Sequence, residues 1–182
     1  MKKGTLIRLI RATGTLIDLP PKGPYGVEAK ILTRGDTASV FVYGSDSVFD
    51  WILHFLPAWG GIAEEVYIAA LAHEITARTR PETPVSIYGH SMGGAVAAAL
   101  KSAIQNREVK TIGMGPKRPL TGYFDEVYWA RGDIVPLLPP WRALPAKKIW
   151  KVGKRRLPWN AHKLSWYEQL LDEAEEPPGA AT

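Results

Sequence analysis

Along this chain the apolar positions switch repeatedly between a period of two and a period near 3.6. Residues 27–33 and 38–43 alternate around Arg34-Gly35-Asp36, which predicts a two-strand hairpin. Residues 6–18, split by Arg11-Ala12-Thr13-Gly14, read as two short strands or a strand pair. Pro20-Pro21-Lys22-Gly23-Pro24 then forms a loop, because proline removes a donor and fixes the backbone. Gly44-Ser45-Asp46-Ser47 stops the second hairpin strand, and Ser47 can cap a helix through Val48, Phe49, Trp51, Ile52, Phe55 and Leu56 up to Pro57. From 62 to about 80, the residues Ile62, Val66, Ala69, Ala70, His73 and Ala77 recur at helical spacing.

A short apolar strand at 85–88 precedes an alanine-rich helix at 95–103. Strands at 109–114, 127–130 and 149–152 and an amphipathic helix at 164–171 follow. Strands alternating with helices predict an α/β fold with a mostly parallel central sheet flanked by helices.

Composition bounds the chemistry. A chain of 182 residues is expected to build one domain, here 1–171, with an acidic tail over 172–182 that contains Pro177-Pro178-Gly179 and is expected to be frayed and solvated. There is no cysteine, which excludes disulfides, thiolate metal sites and a cysteine nucleophile. No apolar stretch reaches the roughly 18 residues of a membrane span. Arg8 and Arg11 interrupt the apolar run near Met1, so no secretion signal is expected and the cytoplasm is the default compartment.

The segment with the most specific chemistry is Gly89-His90-Ser91-Met92-Gly93-Gly94, set between the apolar strand and the alanine-rich helix. It matches the nucleophile elbow Gly-x-Ser-x-Gly, in which a serine on a sharp strand-to-helix turn projects its hydroxyl and the glycines avoid side-chain clashes. The pentapeptide alone turns up by chance in roughly one chain of this length in twenty, so its strand-before, helix-after context carries the signal. A serine hydroxyl needs a base. In this elbow architecture the order is Ser, acid, His; His54, His73 and His90 precede Ser91, leaving His162 in Trp159-Asn160-Ala161-His162-Lys163. Among the carboxylates between them, Glu108, Asp125, Glu126 and Asp133, the choice is Asp133, which follows the 127–130 strand at its carboxyl end. Asp125 precedes that strand and would lie at the opposite edge of the sheet.

Taken together, these residues resemble the class 3 (fungal-type) lipase family of α/β hydrolases over residues 38–162. The resemblance rests on Phe41-Val42-Tyr43-Gly44-Ser45 with Asp50-Trp51, on the elbow, on Ile112-Gly113-Met114-Gly115-Pro116-Lys117-Arg118, and on Asp133-Ile134-Val135-Pro136 with Leu138-Pro139-Pro140. It implies a compact α/β-hydrolase fold and hydrolysis of lipid esters such as acylglycerols by a Ser91–His162–Asp133 triad. It further implies an oxyanion hole from the Ser45 and Met92 amides, and a lid over 47–56 in which Phe49, Trp51, Ile52 and Phe55 meet substrate. A plain amphipathic core helix is the alternative for that segment. No metal or cofactor is implied.

A short-chain esterase, thioesterase or acyltransferase on the same triad is the rival reading within enzymes. From a different class, the rival is a basic binding module without catalysis. The cluster Arg142, Lys147, Lys148, Lys151, Lys154, Arg155, Arg156 and Lys163, interleaved with Trp141, Trp150 and Trp159, concentrates the net charge of +5. Its default reading is a solvated rim over packed tryptophans, and contact with an anionic lipid surface comes next. No nucleic-acid motif accompanies it, so the expected partner is a lipid or small ester rather than a nucleic acid. Oligomeric state is left open.

Overall fold

The computed structural model describes residues 1–19, 27–44, 62–119, 121–138, 140 and 142–173. Its element order is α1 (Lys3–Thr13), β1 (Thr15–Ile17), β2 (Glu28–Arg34), β3 (Thr37–Tyr43), α2 (Ile62–Ala77), β4 (Val85–His90), α3 (Met92–Ala103), β5 (Val109–Met114), β6 (Phe124–Ala130), β7 (Ala146–Val152), α4 (Pro158–Ala161) and α5 (Leu164–Glu173). Seven strands form one sheet in the order β1-β2-β3-β4-β5-β6-β7. The first two pairings are antiparallel and the remaining four are parallel. The expected α/β fold with a mostly parallel sheet is what the chain adopts.

Strand alternation divides the core between the two faces of this sheet. Val40, Val42 and Ile87 point toward α2 and α3, with Leu71, Ile75, Val96 and Leu100 completing that side. Phe41, Tyr88, Ile112 and Met114 point the other way, against Ile7 and Ile10 of α1 and Tyr167, Leu170 and Leu171 of α5. The hairpin read at 27–43 forms as β2 and β3, with Arg34 opposite Thr37 across the turn.

Three readings change. Residues 6–18, expected as strands, are largely helix α1, and only Thr15–Ile17 is strand. Ile7 and Ile10 are spaced for one helical face and are fully buried, while Arg8 and Arg11 reach Asp172 and Glu168 on α5. Burial of that face outweighs the weak helix propensity of isoleucine.

In α2 the inward stripe is Tyr67, Ile68, Leu71, Ala72 and Ile75, whereas Val66 is 59% exposed. The helix is apolar over most of its circumference, and the larger side chains take the interior. Asp172 and Glu173, assigned from sequence to the tail, close α5, where Asp172 accepts bonds from the Thr5 amide and the Arg8 guanidinium. Among the described residues no helix is long and apolar enough to cross a membrane.

Candidate active site

Parallel pairing aligns the carboxyl ends of four strands. Tyr43 lies opposite His90, His90 opposite Met114, and Met114 opposite Tyr128. The residues that follow the first three, Gly44, Ser91 and Gly115, therefore emerge side by side at one edge of the sheet.

Ser91 sits at the junction of β4 and α3 with φ 55° and ψ −125°, a region that non-glycine residues rarely enter. Its amide donates to the Met114 carbonyl at 3.3 Å, and its carbonyl accepts from the Gly94 and Lys117 amides, each at 3.0 Å. The turn is tight enough that glycine is required around it. A Cβ on Gly89 would lie 2.5 Å from the Gly93 oxygen, and one on Gly93 would lie 2.3 Å from the Val42 oxygen. Met92 opens α3, so its amide belongs to the free N–H groups at the positive end of the helix dipole. Gly44 abuts that end: a Cβ built on it would be 3.1 Å from the Met92 nitrogen.

Asp133 follows β6, its amide donating to the Ala130 carbonyl at 3.0 Å, and its side chain is fully buried. One oxygen, Oδ1, accepts from the Val135 amide at 2.9 Å. The other, Oδ2, contacts His162 Nδ1 at 2.9 Å and accepts from the Tyr167 hydroxyl at 2.6 Å. Because a carboxylate only accepts, this geometry puts the ring proton of neutral His162 on Nδ1 and the lone pair of that tautomer on Nε2. His162 itself sits between α4 and α5 and is buried.

His90 links the two halves. It immediately precedes Ser91, its ring stacks on the His162 ring with centroids 4.7 Å apart, and its Nε2 donates to the His162 carbonyl at 2.8 Å. Burial, reinforced by electrostatic coupling to the neighbouring His162 ring, pushes the His90 imidazole down to about 3, so it stays neutral.

The expected trio is thus gathered at one end of the sheet, with Asp133 bonded to His162 and His162 packed on the residue before Ser91. Met92 lies at the start of the elbow helix. Ser45 and the lid residues Phe49, Trp51, Ile52 and Phe55 lie outside the described residues. Asp125, set aside from sequence, stands at the start of β6, opposite the end that carries Asp133. Burial would raise its pKa, but bonds from Lys101, the Thr111 amide and Lys147 outweigh that and hold its carboxyl well below the usual range. His73 is exposed on α2. Among the described residues no three of His, Cys, Asp and Glu gather in a way that could hold a metal.

Sequence reasoning gave no role to Tyr167, and it quoted His90 and Gly115 within motifs without assigning either a task. Tyr167 carried only the signal of an apolar position on α5. Its partner lies 34 residues away in the chain, which no local pattern encodes.

No protein-family model matches this sequence, and no curated protein matches it. Among solved structures it is similar to the Rhizomucor miehei triacylglyceride lipase, with a TM-score of 0.49 and 22% identity over 70% of this chain and 62% of that one. It is also similar to a triacylglycerol lipase in which a serine protease triad forms the catalytic centre, with a TM-score of 0.48 and 20% identity over 70% of this chain and 61% of that one. The chain therefore spans less than two thirds of the length of either lipase.

Proposed function

We propose that this chain is a serine carboxylic-ester hydrolase of the class 3 lipase type, acting on acylglycerols or related lipid esters. The observation that carries the reading is the Asp133–His162 hydrogen bond set beside the strained Ser91 turn. A carboxylate, an imidazole and a serine in this order and setting have one well-understood joint use, the activation of the hydroxyl.

In this reading Ser91 Oγ attacks the ester carbonyl carbon as its proton passes to His162 Nε2. Asp133 holds the ring by Nδ1 and stabilises the imidazolium that forms. The tetrahedral oxyanion accepts from the Met92 amide, with the N-terminus of α3 adding favourable potential, and the family resemblance supplies the Ser45 amide as the second donor. Collapse of the intermediate expels the alkoxide, which takes the proton back from His162, and leaves an acyl-Ser91 ester. Water, deprotonated by His162, then attacks the acyl carbon, and the second collapse releases the carboxylic acid and restores Ser91. Each step needs only the three side chains and the two amides.

The lipid preference is the finer part of the proposal and rests on the family resemblance of the four motif blocks. The test is hydrolysis of a series of p-nitrophenyl esters and emulsified triacylglycerols by the wild-type chain and by Ser91→Ala. The account expects Ser91→Ala to lower turnover by a factor on the order of 10⁴ or more. It also expects long-chain emulsified esters to be turned over faster than short-chain soluble ones. Undiminished turnover in Ser91→Ala removes the mechanism, and a preference for short soluble esters moves the assignment from lipase to esterase.

A further inference from the structure

One extended face of the molecule has no task in the ester-hydrolysis reading. From residue 134 to residue 167 the chain contains no Asp or Glu and eight Lys or Arg. The rest of the chain, with 15 basic and 18 acidic residues, carries a net −3. The whole excess of positive charge thus belongs to one 34-residue stretch.

The fold exposes much of that stretch at one edge of the sheet. Strand β7 is the outer strand of the sheet, and residues 147–151 are exposed whichever way their side chains point. Lys148, Lys151, Lys154, Arg155 and Arg156 are exposed, and among the described residues none of them pairs with a carboxylate. Large apolar side chains stand out beside them: Trp150 is 44% exposed, Leu157 59% and Trp159 64%. A cleft of about 600 Å³ opens in this face, where Lys151, Arg155 and Arg156 stand over Ile134, Leu137 and Leu157.

Lys148, Lys151 and Arg156 lie over the rings of Trp150, Trp129 and Trp166, so cations and apolar groups are interleaved in the patch. A polyanion alone would satisfy the cations, and a nucleic acid would use aromatic rings for stacking. It has no use for exposed aliphatic side chains such as Ile134, Leu137, Ile149 and Leu157. A bilayer bearing negative headgroups uses both, because cations meet phosphates while tryptophan and leucine enter the boundary with the acyl chains.

The face is also joined to the candidate site by the backbone. The Arg156 amide donates to the Arg131 carbonyl and the Arg131 amide to the Val152 carbonyl, both at 3.1 Å, and Arg131 stands two residues before Asp133. Asp133 itself lies on the wall of the cleft. Trp159 is three residues before His162 on the same short helical segment.

We infer that the β7–α4 face docks on an anionic phospholipid bilayer, and that esters taken from that surface are the substrate class presented to Ser91. The second half of this inference rests on the ester-hydrolase reading; the docking does not.

The test uses the full chain carrying Ser91→Ala, so that no lipid is consumed, in co-sedimentation with vesicles of phosphatidylcholine alone or with about one-third phosphatidylglycerol. The expected result is strong partition onto the anionic vesicles, weak partition onto the neutral ones, and loss of binding as salt is raised. Each basic residue near such a surface contributes roughly fivefold to partition, so Lys154→Gln/Arg155→Gln/Arg156→Gln lowers it by about a hundredfold. Trp159→Ser lowers it by roughly tenfold; all four side chains are exposed, and the triple variant also gives up the stacking of Arg156 on Trp166, so its fold is checked by circular dichroism.

Equal partition onto both vesicle types, no partition, or an unchanged triple variant overturns the docking. So does tighter binding of single-stranded RNA that vanishes in the same triple variant, which would assign the face to nucleic acid. Wild-type hydrolysis of soluble esters is measured in parallel: failure there with vesicle binding intact removes the ester reading alone, and vesicle failure with hydrolysis intact removes the docking alone.

Discussion

The Tyr167 hydroxyl lies 2.6 Å from Oδ2 of Asp133, on the same oxygen that meets the ring of His162. Tyr167 also accepts a bond from the Ala130 amide at 2.9 Å, so its single hydroxyl ties the end of β6, the acid and α5 together. Burial, with the charge of Asp133 behind it, pushes the Tyr167 hydroxyl well above its ordinary value and keeps it a donor. Tyr167→Phe leaves a buried amide and a buried carboxylate each one partner short. The expected loss is about 1–3 kcal/mol of stability by chemical denaturation. Ester turnover falls as well, while soluble-substrate KM changes little.

Gly115 makes the same junction possible. It adopts φ +49°, and a Cβ there would stand 2.3 Å from Asp133 Oδ2 and 2.7 Å from the Tyr167 oxygen. Gly115→Ala must therefore push the acid or the tyrosine aside in addition to paying the strain of a left-handed backbone, about 1–3 kcal/mol. We expect a folded but destabilised variant with turnover reduced at least tenfold. Wild-type turnover in Gly115→Ala would contradict the tight packing of this junction.

Acid sensitivity follows from His90. Its folded-state value of about 3 lies below the ordinary 6.5 because the buried ring resists protonation. The unfolded chain therefore binds a proton first as pH falls. The stability held above pH 6.5 drains away between 6.5 and about 3, by about 2 kcal/mol on reaching pH 5. Denaturant midpoints at pH 7.5 and pH 5 measure this drop. His90→Gln, which can still donate to the His162 carbonyl, should show a smaller drop; an equal drop would place the sensitivity elsewhere.

Arg118 fastens the chain after Asp133. Its guanidinium donates to the Pro136 carbonyl at 3.0 Å, the Pro140 carbonyl at 3.1 Å and the Arg142 carbonyl, and its amide donates to the Leu138 carbonyl at 2.9 Å. Bonds from a charged donor are worth about 1.5–3 kcal/mol each when a partner is removed without replacement. Arg118→Met keeps the stem and loses the fork, so limited proteolysis is expected to cut between residues 136 and 142 faster than in the wild type. Unchanged cleavage would show that the loop holds without it.

The tight turn at Ser91, the hairpin and the place of Asp133 at the end of β6 were legible in the sequence because each is a local pattern. The glycine spacing around Ser91, the turn at Gly35-Asp36 and the position of Asp133 after β6 all fall within a few residues. The inward face of α2 was not legible, because Val66 and Ile68 are equally apolar and only packing against β3 and α3 decides between them. Helix α1 was misread for a related reason. Its isoleucines suit a strand, and the partners that make it a helix, Glu168 and Asp172, stand some 160 residues further on. Tyr167 and Gly115 belong to a junction made by three distant elements, and no single segment announces it.

Whether Ser91 is an activated nucleophile is tested most directly by fluorophosphonate labelling of the intact chain, followed by mass measurement and peptide mapping. The account predicts one adduct per chain, located on Ser91 in the peptide containing Gly89-His90-Ser91-Met92-Gly93. It also predicts no adduct in Ser91→Ala, and labelling slowed on the order of a thousandfold in His162→Ala. An adduct on any other residue, or full labelling of Ser91→Ala, would contradict it.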